Sequence, residues 1–190
     1  LAPSRINDYT SLQLIKAISD QRAVKSNEEI AEIEKAISIS YQIQVGAMRY
    51  ARPGMKEREV GGFIEGLASS MGSAVSFPVI FTRHGEVFHN HYSSAKFKNG
   101  DLVLNDSGAE TELHYASDIT RTFPVSGKFT DKQKDVYQIA LKAQMSAIKS
   151  IKAGVSWKSV HLKAATVIAQ GLKDLGLMKG NVKDAVSQGA

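Results

Sequence analysis

The chain has 190 residues, 43% of them hydrophobic and 23% charged, with no cysteine; this ordinary globular composition excludes disorder, disulfide stapling and thiolate metal sites. The formal charge of +5, from 24 basic and 19 acidic residues, is spread along helical stretches and reads as solvated faces, not as a nucleic-acid surface. No apolar run approaches the roughly 18 residues of a membrane span, and the length suits one domain, or one and part of another.

The first 25 residues say least. Leu12-Gln-Leu-Ile-Lys-Ala-Ile18 fits a strand or a helical turn, and with no initiator Met or signal-like segment Leu1 reads as a processing boundary. Ser26 and Glu29 then form a capping box. The helix they open carries Ile30, Ile33, Ile37, Tyr41, Val45 and Met48 on one face and stops at Pro53-Gly54. A second helix runs from Glu57 to Met71, closed by Gly72, with Val60, Phe63, Ile64 and Leu67 facing the core.

Ser76 to Thr82 reads as a strand with Phe77 as its buried aromatic, and Arg83-His-Gly-Glu86 as a tight turn. His89 and His91 are two apart, so on a strand they would share a face, a spacing that can hold a metal. Farther on, Thr130 with Gln133 caps a long helix bearing Val136, Ile139, Ala140, Ala143, Ala147 and Ile151. Gly154 breaks it. Ser156 starts another helix, with Val160, Ala164, Val167, Ile168 and Leu172, ending around Gly176. The order helix, helix, strands, helix, helix is an α+β layout with helices packed on an antiparallel sheet.

Chemistry concentrates in one hairpin. Asp101–Asp106 and Tyr115–Phe123 are β-favouring runs, and Gly108–Leu113 between them carries the turn signal. Asp106 and Asp118 are separated by an even number of residues, so a symmetric turn centred on Glu112 would set them opposite each other, with Cβ atoms about 5 Å apart. Such a carboxylate pair is unfavourable unless it shares a proton or binds a cation. The spacing is equally compatible with a solvent-facing hairpin whose aspartates are unrelated.

The strings Asn105-Asp-Ser-Gly-Ala-Glu110 and Tyr115-Ala-Ser-Asp-Ile-Thr-Arg-Thr-Phe-Pro124, with His91-Tyr92 and the entry Lys25-Ser-Asn-Glu-Glu-Ile30, resemble the pita-bread metallopeptidases. Within them the resemblance is to the creatinase, Xaa-Pro aminopeptidase and prolidase branch, from about Arg22 onward, with a turn between the aspartates one residue longer than that family's. It implies that residues 1–25 are the tail and linker of a preceding N-terminal domain and that residues 26–190 are the first half of the catalytic domain, half of a pita-bread fold with a curved antiparallel sheet. It implies a cytoplasmic exopeptidase, a possible homodimer, that removes the residue preceding proline with two divalent ions, manganese by resemblance.

The same resemblance gives the residues their roles. Asp106 would be a terminal metal ligand, Asp118 a bridging one, and Thr120 the hydrogen-bond partner standing behind them. His91 would be the catalytic donor that steadies the reacting carbonyl or leaving amine, and it would also touch the substrate, as would Phe77 from the pocket wall. His84, His89 and His114 have no counterpart and read as surface histidines. The family's remaining His and two Glu ligands come from a later segment; after His161 there is no histidine here, and Glu112 is the last glutamate. Two carboxylates are a half-site, so the 190-residue chain alone should be nearly inactive. Two other readings are a binding module that keeps the fold without catalysis, and a different peptidase-family member such as a methionine aminopeptidase or a creatinase.

Overall fold

The computed structural model describes residues 10–87, 89–90 and 94–189. They form two compact units, one up to Ser126 and one from Gly127. In the first, α1 (Leu12–Ala23) settles the choice between strand and helical turn in favour of helix. Ser11 Oγ caps it by accepting from Leu14 N at 3.2 Å, and Lys16 pairs with Asp20 one turn on. None of its residues is buried.

Helix α2 (Asn27–Tyr50) begins with the expected capping box: Ser26 N donates to Glu29 Oε2 at 2.7 Å and Glu29 N to Ser26 Oγ at 3.3 Å. The face it buries is not the expected one. Ala36, Ile39, Ser40, Ile43, Gln44 and Ala47 point inward, whereas Ile30, Ile37, Tyr41 and Met48 are exposed. The buried stripe is rotated by roughly a quarter turn or more from the row of large apolar residues. Small and polar side chains let this helix lie close to the sheet and hydrogen-bond to it.

After Pro53, Gly54 adopts a φ of 93° and donates its N–H to Phe97 O at 2.8 Å, turning the chain into α3 (Glu57–Met71). Val60 and Ile64 are fully buried, Phe63 and Leu67 half-buried, and Ala68 completes that face. The strand expected over Ser76–Thr82 is shorter. Of that span only β2 (Ile80–Thr82) is strand; a separate short β1 (Ala74–Val75) precedes it, leaving Phe77 between them and off any strand. Pro78 lacks the N–H that a continuous ladder would require there.

β1 pairs with β4 (Ala109–Glu110), and β2 with β3 (Leu102–Ser107), which pairs in turn with β5 (Ile119–Pro124); every pairing is antiparallel. The α+β class therefore holds, with a sheet in two pieces, ordered β2-β3-β5 and β1-β4. Ile43, Ala47, Val60 and Ile64 from the helices meet Val79, Phe81, Phe97, Val103 and Phe123 in one cluster. Phe81 stands edge-on to Phe97, with ring centres 5.7 Å apart. Each such aliphatic or aromatic side chain contributes about 1.5–3 kcal/mol on full burial.

The second unit holds α4 (Asp131–Ser150), α5 (Trp157–Asp174) and α6 (Val182–Gln188). The Thr130–Gln133 capping box is present. Ala143 and Val160 are buried as expected, while Val136, Ile151 and Ile168 are exposed. Gly154 makes the turn between α4 and α5 with a φ of 83°. The close approach of those two helices is visible at Gly171, where an added Cβ would lie 2.6 Å from Ile139. No helix among the described residues is long and apolar enough to cross a membrane.

Candidate metal centre on the hairpin

Strands β3 and β5 set the site. Their register pairs Asp106 with Thr120 and Ser107 with Ile119, and the bridge Glu110–Ala116 continues it toward the tip. The turn is thus centred on Leu113, one residue beyond the expected Glu112. His114, in the left-handed region at φ 63°, helps close it. Asp106 and Asp118 are therefore not directly opposite. Asp106 faces Thr120, and Asp118 sits one pair nearer the tip, across from Gly108. Their parity is unchanged, so both aspartates and Thr120 still occupy the same face of the hairpin.

Ser117 N donates to Ala109 O at 3.0 Å, which makes Asp106–Thr120 a pair without ladder hydrogen bonds between its own backbones. Side chains come closest at such pairs, and Thr120 Oγ1 donates to Asp106 Oδ1 at 2.6 Å. Asp118 is raised above the ordinary aspartate value by lost hydration first, then by the charge of Asp106 and a hydrogen bond to it. Asp118 is exposed as a residue, so the desolvation is partial and the neighbouring carboxylate carries the chemical meaning. Two carboxylates that resist joint ionisation form a place where a cation is stabilising.

The donors on this face are carboxylate and hydroxyl oxygens, a set suited to divalent ions such as magnesium or manganese. Among the described residues no three His, Cys, Asp or Glu side chains gather into a metal-binding group. The carboxylates of Asp106 and Asp118, on one face of the hairpin, are donors of the kind such an ion takes. His91 and Tyr92 lie outside the described residues, so the donor role expected of His91 has no geometry here. Phe77 is half-buried between β1 and β2. His84, His89 and His114 are exposed as expected; His84 pairs with Glu86 at 2.9 Å and His114 with Glu110 at 3.0 Å.

Sequence reasoning missed the residues behind the hairpin. Ser40, Gln44, Asn105, Ser107 and Ser117 are buried polar groups, all hydrogen-bonded. Alternation along β3 held the signal: if Asp106 faces the site, then Asn105 and Ser107 must face α2.

The profile of metallopeptidase family M24 matches residues 31–186. The Xaa-Pro aminopeptidase of Escherichia coli is 34% identical over 192 residues, covering 100% of this chain and 42% of the relative. A probable Xaa-Pro aminopeptidase of Phaeosphaeria nodorum is 36% identical over 193 residues, covering 95% of this chain and 42% of its own length. Among solved structures, Escherichia coli aminopeptidase P with the inhibitor Pro-Leu superimposes with a TM-score of 0.85 at 33% identity, covering 91% of this chain and 40% of that one. Pseudomonas aeruginosa aminopeptidase PepP gives a TM-score of 0.83 at 34% identity, covering 88% and 38%. The chain spans about two-fifths of the length of these relatives and has the architecture of half a pita-bread fold. With a profile match over most of its length and a hairpin that gathers two carboxylates on one face, the chain belongs to metallopeptidase family M24.

Proposed function

We propose that the whole protein is a dinuclear, manganese-dependent exopeptidase that releases the N-terminal residue preceding proline. The observation that carries this reading is the convergence of Asp106, Asp118 and Thr120 on one hairpin face in a chain similar to Xaa-Pro aminopeptidases. Divalent ions, when bound, supply Lewis-acid polarisation of the scissile carbonyl and an activated nucleophile. Asp106 and Asp118 would hold the divalent ions, Asp118 as a ligand to both, while the Thr120 hydroxyl restricts the rotamer of Asp106. His91 donates to the reacting carbonyl or leaving amine, and Phe77 lines the wall of the substrate pocket. Residues 26–190 are the first half of the catalytic domain and residues 1–25 the link to a preceding one. The working form is a cytoplasmic homodimer.

The test uses the complete polypeptide with Ala-Pro, Met-Ala and creatine substrates, metal content by mass spectrometry, and light scattering for the dimer. Hydrolysis confined to the proline-containing substrate, two manganese ions per chain, and its loss in Asp118→Ala are expected. Turnover of Met-Ala or creatine instead, or full activity in Asp118→Ala, overturns the assignment.

A further inference from the structure

Asp106 stands on β3 and Asp118 immediately precedes β5, and the backs of those two strands are held by a buried polar strap from α2. Gln44, 4% exposed, lies at its centre. Its Nε2 donates to Ile119 O at 2.6 Å and to Ser107 Oγ at 3.3 Å, while its Oε1 accepts from Asn105 Nδ2 at 2.9 Å. Ser107 Oγ donates to Asn105 Oδ1 at 3.0 Å, closing the loop. Asn105 immediately precedes Asp106, and Ile119 lies between Asp118 and Thr120. One amide therefore grips both strands at the residues adjoining the site.

A second anchor holds the other side of Asp118. Ser117 Oγ contacts Ser40 Oγ at 2.7 Å and donates to Ala36 O at 2.9 Å, both on α2. It also accepts from Ala109 N at 3.2 Å, standing in for the Ser117 carbonyl, which takes the Ser76 hydroxyl at 2.6 Å. The ladder is thus interrupted beside Asp118, before β5 begins at Ile119. Where strand pairing no longer fixes the backbone, α2 does.

Such an arrangement is disfavoured as mere core filling, because five polar side chains occupy positions that apolar ones would fill without desolvation cost. A closed, fully satisfied network instead fixes one register among several of similar packing energy. We infer that Gln44, with Asn105, Ser107, Ser40 and Ser117, is a positioning strap that sets the separation of Asp106 and Asp118 for a divalent ion. The inference rests on the peptidase reading only for the identity of the ion. The register it fixes is a property of the hairpin itself.

The decisive comparison, made in the complete polypeptide, separates packing from positioning. Gln44→Leu alone leaves Asn105 Nδ2 without the Gln44 Oε1 acceptor, and both Tm and Mn2+ affinity should fall. Gln44→Leu combined with Asn105→Val and Ser107→Ala replaces both partners by apolar groups, a change that restores stability when hydrogen bonding is the only issue. We expect Tm to return close to wild type while Mn2+ binding by calorimetry stays about ten-fold weaker or more. With substrate, kcat should fall more than KM rises. Recovery of Mn2+ affinity together with Tm overturns the inference. Should the triple variant not fold, Gln44→Met decides, since a cooperative melt with wild-type Mn2+ affinity also overturns it. Hydrogen exchange at the Ser117 and Ile119 amides of the metal-free protein gives an independent reading: unchanged protection in the folded variant refutes the strap. A wild-type protein that takes up no Mn2+ would instead count against the peptidase reading, leaving the exchange result to decide this one.

Discussion

Gly108 offers the sharpest test of how the hairpin is built. A Cβ added there would lie 1.8 Å from Ser117 O, 2.3 Å from Ser76 Oγ and 2.7 Å from Ser117 C. The obstruction is chiefly backbone, so no side-chain rotamer relieves it. To reach ordinary contact the strands must part by about 1.5 Å. That movement breaks the bond from Ser76 Oγ to Ser117 O, from Ala109 N to Ser117 Oγ, and from Ser117 N to Ala109 O. Each is worth about 1 kcal/mol, and overpacking adds about 1–3 kcal/mol. Gly108→Ala should therefore destabilise the first unit by roughly 4–6 kcal/mol, a large share of the roughly 5–15 kcal/mol of a typical domain.

The assay is urea unfolding followed by circular dichroism, with Gly62→Ala as the control. Gly62 lies inside α3 with nothing within 4 Å of an added Cβ. Alanine there should raise stability by about 1 kcal/mol, the ordinary helix-propensity gain. A Gly108→Ala protein within 1 kcal/mol of wild type would refute the close approach of the strands beside Asp118. A destabilised Gly62→Ala would show that the comparison is not reporting local backbone effects at all.

Asp118 should make stability depend on pH in an unusual direction. Its folded value lies above the ordinary aspartate value, so the folded state binds the proton more tightly than the unfolded one, and stability falls as pH climbs from the ordinary value through the raised one. Asp118→Asn should remove that fall and make the metal-free protein slightly more stable at neutral pH, by less than about 1 kcal/mol because the site is exposed; denaturant midpoints followed from acid to neutral pH that move the opposite way would contradict it. Adding Mn2+ should stabilise wild type and not Asp118→Asn, which a melting-temperature titration with chelator reversal measures. The 190-residue chain by itself should show no Xaa-Pro hydrolysis, since it holds only two carboxylates of the proposed ligand set; measurable turnover by that chain alone would sink the half-site reading.

Most of the site's polarity was legible in the sequence and its register was not. Even spacing placed Asp106, Asp118 and Thr120 on one face, and parity survives a shift of the turn. A symmetric turn centred on Glu112 was the simplest assumption, yet the hairpin pairs Asp106 with Thr120. The reason is local: Thr111 N donates to Tyr115 O at 3.0 Å and His114 N to Thr111 O at 2.9 Å. These tip bonds recentre the loop. Phe77 was misplaced on a strand because Ser76–Thr82 has strand composition throughout, whereas Pro78 and the bonds of Ser76 to Gly108 and Ser117 end β1 before it.

The helix face exposes a more general weakness of reading periodicity alone. In α2 both rows of residues repeat every three to four positions, and the row with larger side chains invites burial. The buried row is instead Ala36, Ile39, Ser40, Ile43, Gln44 and Ala47. Hydrophobic area favours the first orientation, but a strand pair with Asn105, Ser107 and Ser117 turned toward the helix would then face apolar groups. Each unmatched polar group would cost about 1–3 kcal/mol, comparable with the burial gain of one large side chain. Rotating α2 satisfies Gln44, Asn105, Ser107 and Ser117 at once, and Ile43 with Ala47 still reaches the core. The polar residues of β3 thus decide which face of a distant helix is buried, and the same bonds that orient the helix hold the strands bearing Asp106 and Asp118.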